Sequence, residues 1–183
     1  MTVLSLSDRR GVLRFLAGCA TMLAVAGCTS TTVLSPPAPS GPVADFTAQA
    51  LPIVNEVRAK KGLPPLAVDP VAAAAARDQA MRMASQGKMA HQLSRESFGQ
   101  RMIRMGVPLP ASENIAAGQK SVEAAVAAWI SSPKHFENMV GNYQGLGVVR
   151  AENGADGRPF WAMVLSSKPH PPRGRAPFGI VVY

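Results

Sequence analysis

The sequence predicts an α+β domain, and three observations carry that prediction. Segments of helical period fill most of the chain between residues 46 and 139. Two apolar runs of strand character, Leu146–Val149 and Phe160–Leu165, then flank the polar turn Asn153–Gly157. The chain has only 2 cysteines, both near its start, so no disulfide framework can stand in for a packed core. Helices followed by an antiparallel hairpin give helical layers packed on a small sheet.

The elements follow in order. Arg9, Arg10 and Arg14 form a basic start, and an apolar run from Phe15 to Ala26 ends in small residues, as in a secretory signal. The run is shorter than the roughly 20 apolar residues that a bilayer span needs. Its end, Leu23-Ala24-Val25-Ala26-Gly27-Cys28, resembles the lipobox of bacterial lipoproteins, which implies cleavage after residue 27 and acylation of Cys28. Leu16-Ala17-Gly18-Cys19 is a competing match, but almost no apolar run precedes it. More than one acyl chain, at about 0.8 kcal/mol per buried methylene, holds a protein to a membrane stably. Thr29 stands where an inner-membrane retention aspartate would sit, which points to the outer membrane. Asp8-Arg9-Arg10-Gly11-Val12-Leu13-Arg14 also resembles a twin-arginine signal, so two export routes stay open.

Removing residues 1–27 of 183 leaves 156, one domain's worth. Three arginines and Asp8 go with them, so 16 basic and 10 acidic residues remain, a net +6 in place of +8. That balance suits a negative partner such as a membrane surface or cell-wall polymer. Export and the scattered aromatics argue against nucleic acid. With Cys19 lost and Cys28 acylated, no thiol remains for catalysis or for a zinc–thiolate centre.

Residues 28–44 are rich in Ser, Thr and Pro and read as a spacer, with the domain at 45–167 and a proline-rich basic tail at 168–183. Phe46, Ala50, Ile53, Val54 and Val57 share a helical face closed by Gly62, and Pro52 inside it predicts a helix that is kinked there or starts later. Asp69-Pro70 reads as an N-cap with proline at the first position of a helix running to about Gln86, where Gly87 stops it. Ala73, Ala76, Ala80, Met83 and Ala84 give that helix a face of mainly small residues, open to close approach. Phe98–Met105 reads as a short helix, and Ser112 as the cap of a turn at Glu113-Asn114-Ile115. Ser121 caps a helix from Val122 to Ile130, and Ser132-Pro133 starts another through His135 and Met139. Phe178–Tyr183 reads either as an added edge strand or as a segment that hangs free.

Three histidines remain. His170 lies among tail prolines and reads as exposed, while His91 and His135 each lie at a helix end, with Glu113 between them in sequence. Two imidazoles and a carboxylate can hold zinc or another divalent ion with an open position, can act as an acid/base pair, or can lock loops together as a polar cluster. No close-spaced H-E-x-x-H pair selects among the three.

The surrounding segments add a resemblance. Gly62 to Pro70 and the Ala-rich helix ending near His91 look like the opening of a bacterial CAP (SCP-like) domain. Ser112-Glu113-Asn114-Ile115-Ala116 resembles that family's G-E-N-I-A segment. Trp129-Ile130-Ser131-Ser132-Pro133-Lys134-His135-Phe136-Glu137-Asn138-Met139 resembles its W-x-x-S-P-x-H-x-x-N-[IM] signature, and Gly145–Val148 with Phe160–Met163 fit its closing strands. The resemblance implies an α-β-α sandwich whose cleft is lined by two histidines and two acidic residues. His91, Glu113 and His135 match three of the four; the second acidic position falls on Ser132, and Ser112 replaces the usual glycine. It implies an envelope-anchored, non-catalytic binding module for a lipid, cell-wall or protein ligand. A metal-dependent hydrolase with His91 and His135 as zinc or calcium ligands and Glu113 as base is the alternative.

Overall fold

The computed structural model describes residues 40–170. Five helices and five strands follow in the order β1 (Ser40–Asp45), α1 (Thr47–Ala59), β2 (Ala67–Val68), α2 (Pro70–Gln86), α3 (Phe98–Met105), β3 (Ala111–Ala117), α4 (Val122–Ile130), α5 (Pro133–Met139), β4 (Gly145–Asn153) and β5 (Pro159–Ser166). The sheet runs β1-β4-β5-β3, antiparallel throughout that path, and the two-residue β2 pairs with β4 in parallel.

Side-chain alternation along the central strands builds two cores. On β4 and β5, Leu146, Val148, Trp161, Met163 and Leu165 face the layer of α1, α4 and α5. Val149, Ala151, Phe160, Ala162 and Val164 face α2 and α3. With helices on both faces, β5 is buried from end to end and reads as one apolar run. The expected α-β-α sandwich is the fold found.

The small face of α2 sets the spacing of one layer. Ala72, Ala76 and Ala80 are fully buried, and a Cβ added to Gly147 on β4 would collide with the backbone of Ala72 and Ala73. Only glycine lets helix and strand come this close. Asp69 caps α2 as expected: its Oδ1 accepts from the Val71 amide at 3.0 Å, with Pro70 at the first position. Gly87 ends the helix in the left-handed conformation, φ 60°.

Several expectations are corrected. Residues 40–44 are strand, so regular structure reaches into the segment read as spacer. β1 pairs with β4 through backbone groups, and a register shift between Ser40 and Val43 accommodates Pro42, so no side-chain period marks it. The turn expected at Ser112–Ile115 is strand β3, paired with β5 residue by residue from Ala111 to Ala117. Both of its faces are covered, so Glu113 and Asn114 interrupt the alternation that would have marked it. Helix α1 runs through Pro52, which is exposed. His170 is not a free tail residue: its Nδ1 lies 3.2 Å from the buried Asp69 carboxylate, which also accepts the Ser166 hydroxyl at 2.5 Å. Phe178–Tyr183 falls outside the described residues.

Candidate functional site

β3 is an edge strand, and its alternation sends neighbouring side chains to opposite layers. Glu113 points to the α2/α3 side and Asn114 to the α4/α5 side. The loop after α2 brings His91 to the first, and α5 brings His135 to the second. Residues 22 apart thereby meet: His91 Nδ1 lies 2.9 Å from Glu113 Oε1.

Glu113 is 2% exposed and does not stand alone. Its Oε2 accepts from Arg101 Nη2 at 2.6 Å, and that guanidinium is itself only 3% exposed. Arg101 Nη1 bonds in turn to Gln79 Oε1 on α2, and Gln79 Nε2 donates to the Ala90 carbonyl at 2.6 Å, next to His91. The chain Gln79–Arg101–Glu113–His91 closes on the loop that carries the histidine. A carboxylate facing a guanidinium can only accept, so His91 donates through Nδ1 and directs Nε2 away from Glu113. The His91 side chain is 51% exposed, so that nitrogen is within reach of solvent.

On the other face, Asn114 Nδ2 donates to the His135 carbonyl at 2.9 Å, and Asn138 Nδ2 donates to Asn114 Oδ1 at 2.8 Å and to the Glu113 carbonyl at 3.3 Å. Both asparagines tie α5 to the strand edge. Trp129 is a core residue, 1% exposed, whose indole N–H donates to the Ile115 carbonyl at 3.0 Å. Beside it opens a hollow of about 240 Å³ lined chiefly by Met89, Ile115, Ala117, Ala128 and Trp129, with Ser132, His135 and Gln119 as its polar members. Ser132 stands at the N-cap of α5 without using its hydroxyl to cap it, and Gln119 Oε1 is buried with no partner among the described residues. Burial pushes the His135 imidazole below its ordinary value, and charge on His91 pushes the same way. The neutral ring therefore persists to lower pH than a free histidine would.

The structure thus joins His91 to Glu113 directly, places His135 and Ser132 on the hollow, and puts His91 within electrostatic reach of His135. A divalent metal held through Glu113 does not fit this arrangement. Both carboxylate oxygens are engaged, one by a buried cation, and no group of three or more His, Cys, Asp or Glu side chains among the described residues is arranged to hold a metal. Sequence reasoning missed Arg101 and Gln79. Their signal was a polar residue on an apolar stripe: Arg101 shares a face of α3 with Phe98 and Met105, and Gln79 lies among Ala72, Ala76, Ala80 and Met83 on α2.

Residues 51–165 match the model of the Cysteine-rich secretory protein family, CAP. YkwD, an uncharacterized protein of Bacillus subtilis (strain 168), is 31% identical over 135 residues, covering 72% of this chain and 51% of its own. The chain therefore spans about half the length of that relative. An extracellular protein containing an SCP domain from Bacillus anthracis is 28% identical, with a TM-score of 0.58 over 67% of this chain and 40% of that one. An outer surface protein from Borrelia burgdorferi, at 21% identity, has the same fold, with a TM-score of 0.59 over 70% of this chain and 98% of that one.

Proposed function

This chain belongs to the cysteine-rich secretory protein (CAP) family, and from that premise we propose that it is a non-catalytic binding module displayed on the cell envelope. Its ligand is a lipid or similar amphiphile that puts an apolar group into the hollow beside Trp129 and its polar end toward His135, Ser132 and the outward Nε2 of His91. The observation that carries this reading is the pairing of an apolar hollow with polar groups left free at its rim. Such a hollow, with few polar groups to orient the ligand, is the usual form of a small-molecule site. The hydrolase alternative needs Glu113 as a free base, and its two oxygens are already held by His91 and Arg101. The export signal and lipobox support a tether at Cys28, with the SCP-domain and outer-surface neighbours as analogues in place if not in ligand. No helix among the described residues is long and apolar enough to cross a membrane.

Ala128 is exposed and lines the hollow, so Ala128→Trp fills it without disturbing the core. Native mass spectrometry of the chain purified from envelopes is expected to show a bound lipid mass on the wild type that Ala128→Trp loses. A wild type that carries no adduct, or a variant that keeps it, overturns the reading. Cys28→Ala is expected to move the protein out of the membrane fraction; unchanged partitioning contradicts the tether.

A further inference from the structure

We propose that Arg101 is the positioning residue of this cleft: its guanidinium supplies, from within the chain, the positive charge that a divalent cation would bring to a histidine–carboxylate pair, so that Glu113 and His91 are set in place with no metal. The geometry is that of a completed site. Arg101 lies 2.6 Å from Glu113 Oε2, and both side chains are almost fully buried. Gln79 holds the guanidinium from α2 and, through Ala90, holds the start of the His91 loop. Arg101 thus acts on His91 through Glu113 and by a second path through Gln79.

The charge balance decides what the cleft can accept. A carboxylate with only an imidazole beside it would attract a cation, but here Arg101 cancels Glu113 at contact distance inside the protein, where screening is weak. What remains to face solvent is His91 Nε2 and the His135 ring, with no uncompensated acid beside them among the described residues. Such a cleft selects against cations and favours a neutral or anionic polar end. A lysine in place of Arg101 would keep the charge but lose the planar fork that reaches Gln79 and Glu113 together.

The test uses the full chain in three forms: wild type, Arg101→Lys and Arg101→Met. Two readouts are taken, the ¹⁵N signature of the His91 ring tautomer and the melting temperature in chelator, zinc or calcium. Wild type is expected to show a single Nδ1–H tautomer at His91 and one melting temperature in all three solutions. Arg101→Lys is expected to keep the tautomer signature. Arg101→Met is expected to lose it at His91 while the rings of His135 and His170 keep theirs, and to gain a melting temperature that rises with zinc as the freed carboxylate takes up the ion. A wild-type melt that rises with zinc and falls back in Glu113→Gln would overturn the proposal, as would an unchanged His91 signature in Arg101→Met or its loss in Arg101→Lys. If Arg101→Met does not fold, the wild-type melts and Arg101→Lys still decide it. Lipid capture is read separately by native mass, so either idea can fail alone.

Discussion

Two buried carboxylates in this molecule each meet a histidine, yet their surroundings differ in kind. Asp69 is fully buried and is satisfied almost wholly by neutral donors: the Val71 amide, the Ser166 hydroxyl and the His170 amide, with the His170 ring alongside. Glu113 is met by a buried guanidinium on one oxygen and His91 on the other. The first cluster ties a helix start to a strand end and to the chain beyond it, and its histidine is its last addition. The second is built so that its histidine is aimed outward from a rigid base. Neutral donors are enough to anchor a fold, whereas a charge placed opposite a charge fixes one geometry and makes any change there costly.

Changes at the two clusters should therefore differ in size. The largest effect is expected from Arg101→Met, which leaves Glu113 buried without its counter-charge; the loss should be about 3–5 kcal/mol in unfolding by denaturant. Glu113→Gln should approach it, because it leaves the guanidinium buried without a carboxylate. Asp69→Asn, an identical change of acid to amide, should cost only about 1 kcal/mol, since an amide oxygen still caps α2 and most of the donors it faces are neutral. Equal losses at the two sites would break the comparison.

A smaller effect separates the histidines by pH. Because burial lowers the His135 pKa in the folded protein, the unfolded chain binds the proton more readily between that value and about 6.5. The stability this group contributes is thus complete above about pH 6.5 and is lost as pH falls through the folded-state value. His135→Gln should flatten that part of a stability–pH curve measured by chemical denaturation, and a curve of unchanged slope would contradict the assignment. The smallest effect is expected from His170→Ala, less than about 1 kcal/mol, because this partly exposed ring is one of several groups on Asp69.

A third buried polar group sharpens the contrast from another side. Arg58, 1% exposed, has no carboxylate partner among the described residues; its guanidinium donates to the carbonyls of Pro64, Met139, Gly141 and Tyr143 and so holds the loop after α5 against α1. Burial lowers its pKa for the same reason that it needs four carbonyls. It is a structural arginine by its partners, as Arg101 is a site arginine by its own.

Which parts of this were readable in the sequence follows from where the information lies. Caps such as Asp69-Pro70 and Ser121, the stops at Gly87, and the hairpin around Asn153–Gly157 are local and were legible residue by residue. The site histidines and Glu113 were legible through the segments around them, Ser112–Ala116 and Trp129–Met139. β1, β2 and β3 were not, because the first two are defined by backbone pairing and the third carries Glu113 and Asn114 where an exposed-face pattern would alternate. Arg101 was hidden because a lone arginine on a short helix is ordinarily solvated; only a partner 12 residues away makes it part of the site.

A double-mutant cycle on Arg101 and Glu113 tests the central claim most directly. Unfolding free energies of wild type, Arg101→Met, Glu113→Gln and the double variant should show the two singles each costing several kcal/mol and the pair costing less than their sum by about 2 kcal/mol or more. Additive losses would mean that the guanidinium and the carboxylate do not hold one another, and the rigid base under His91 would be gone.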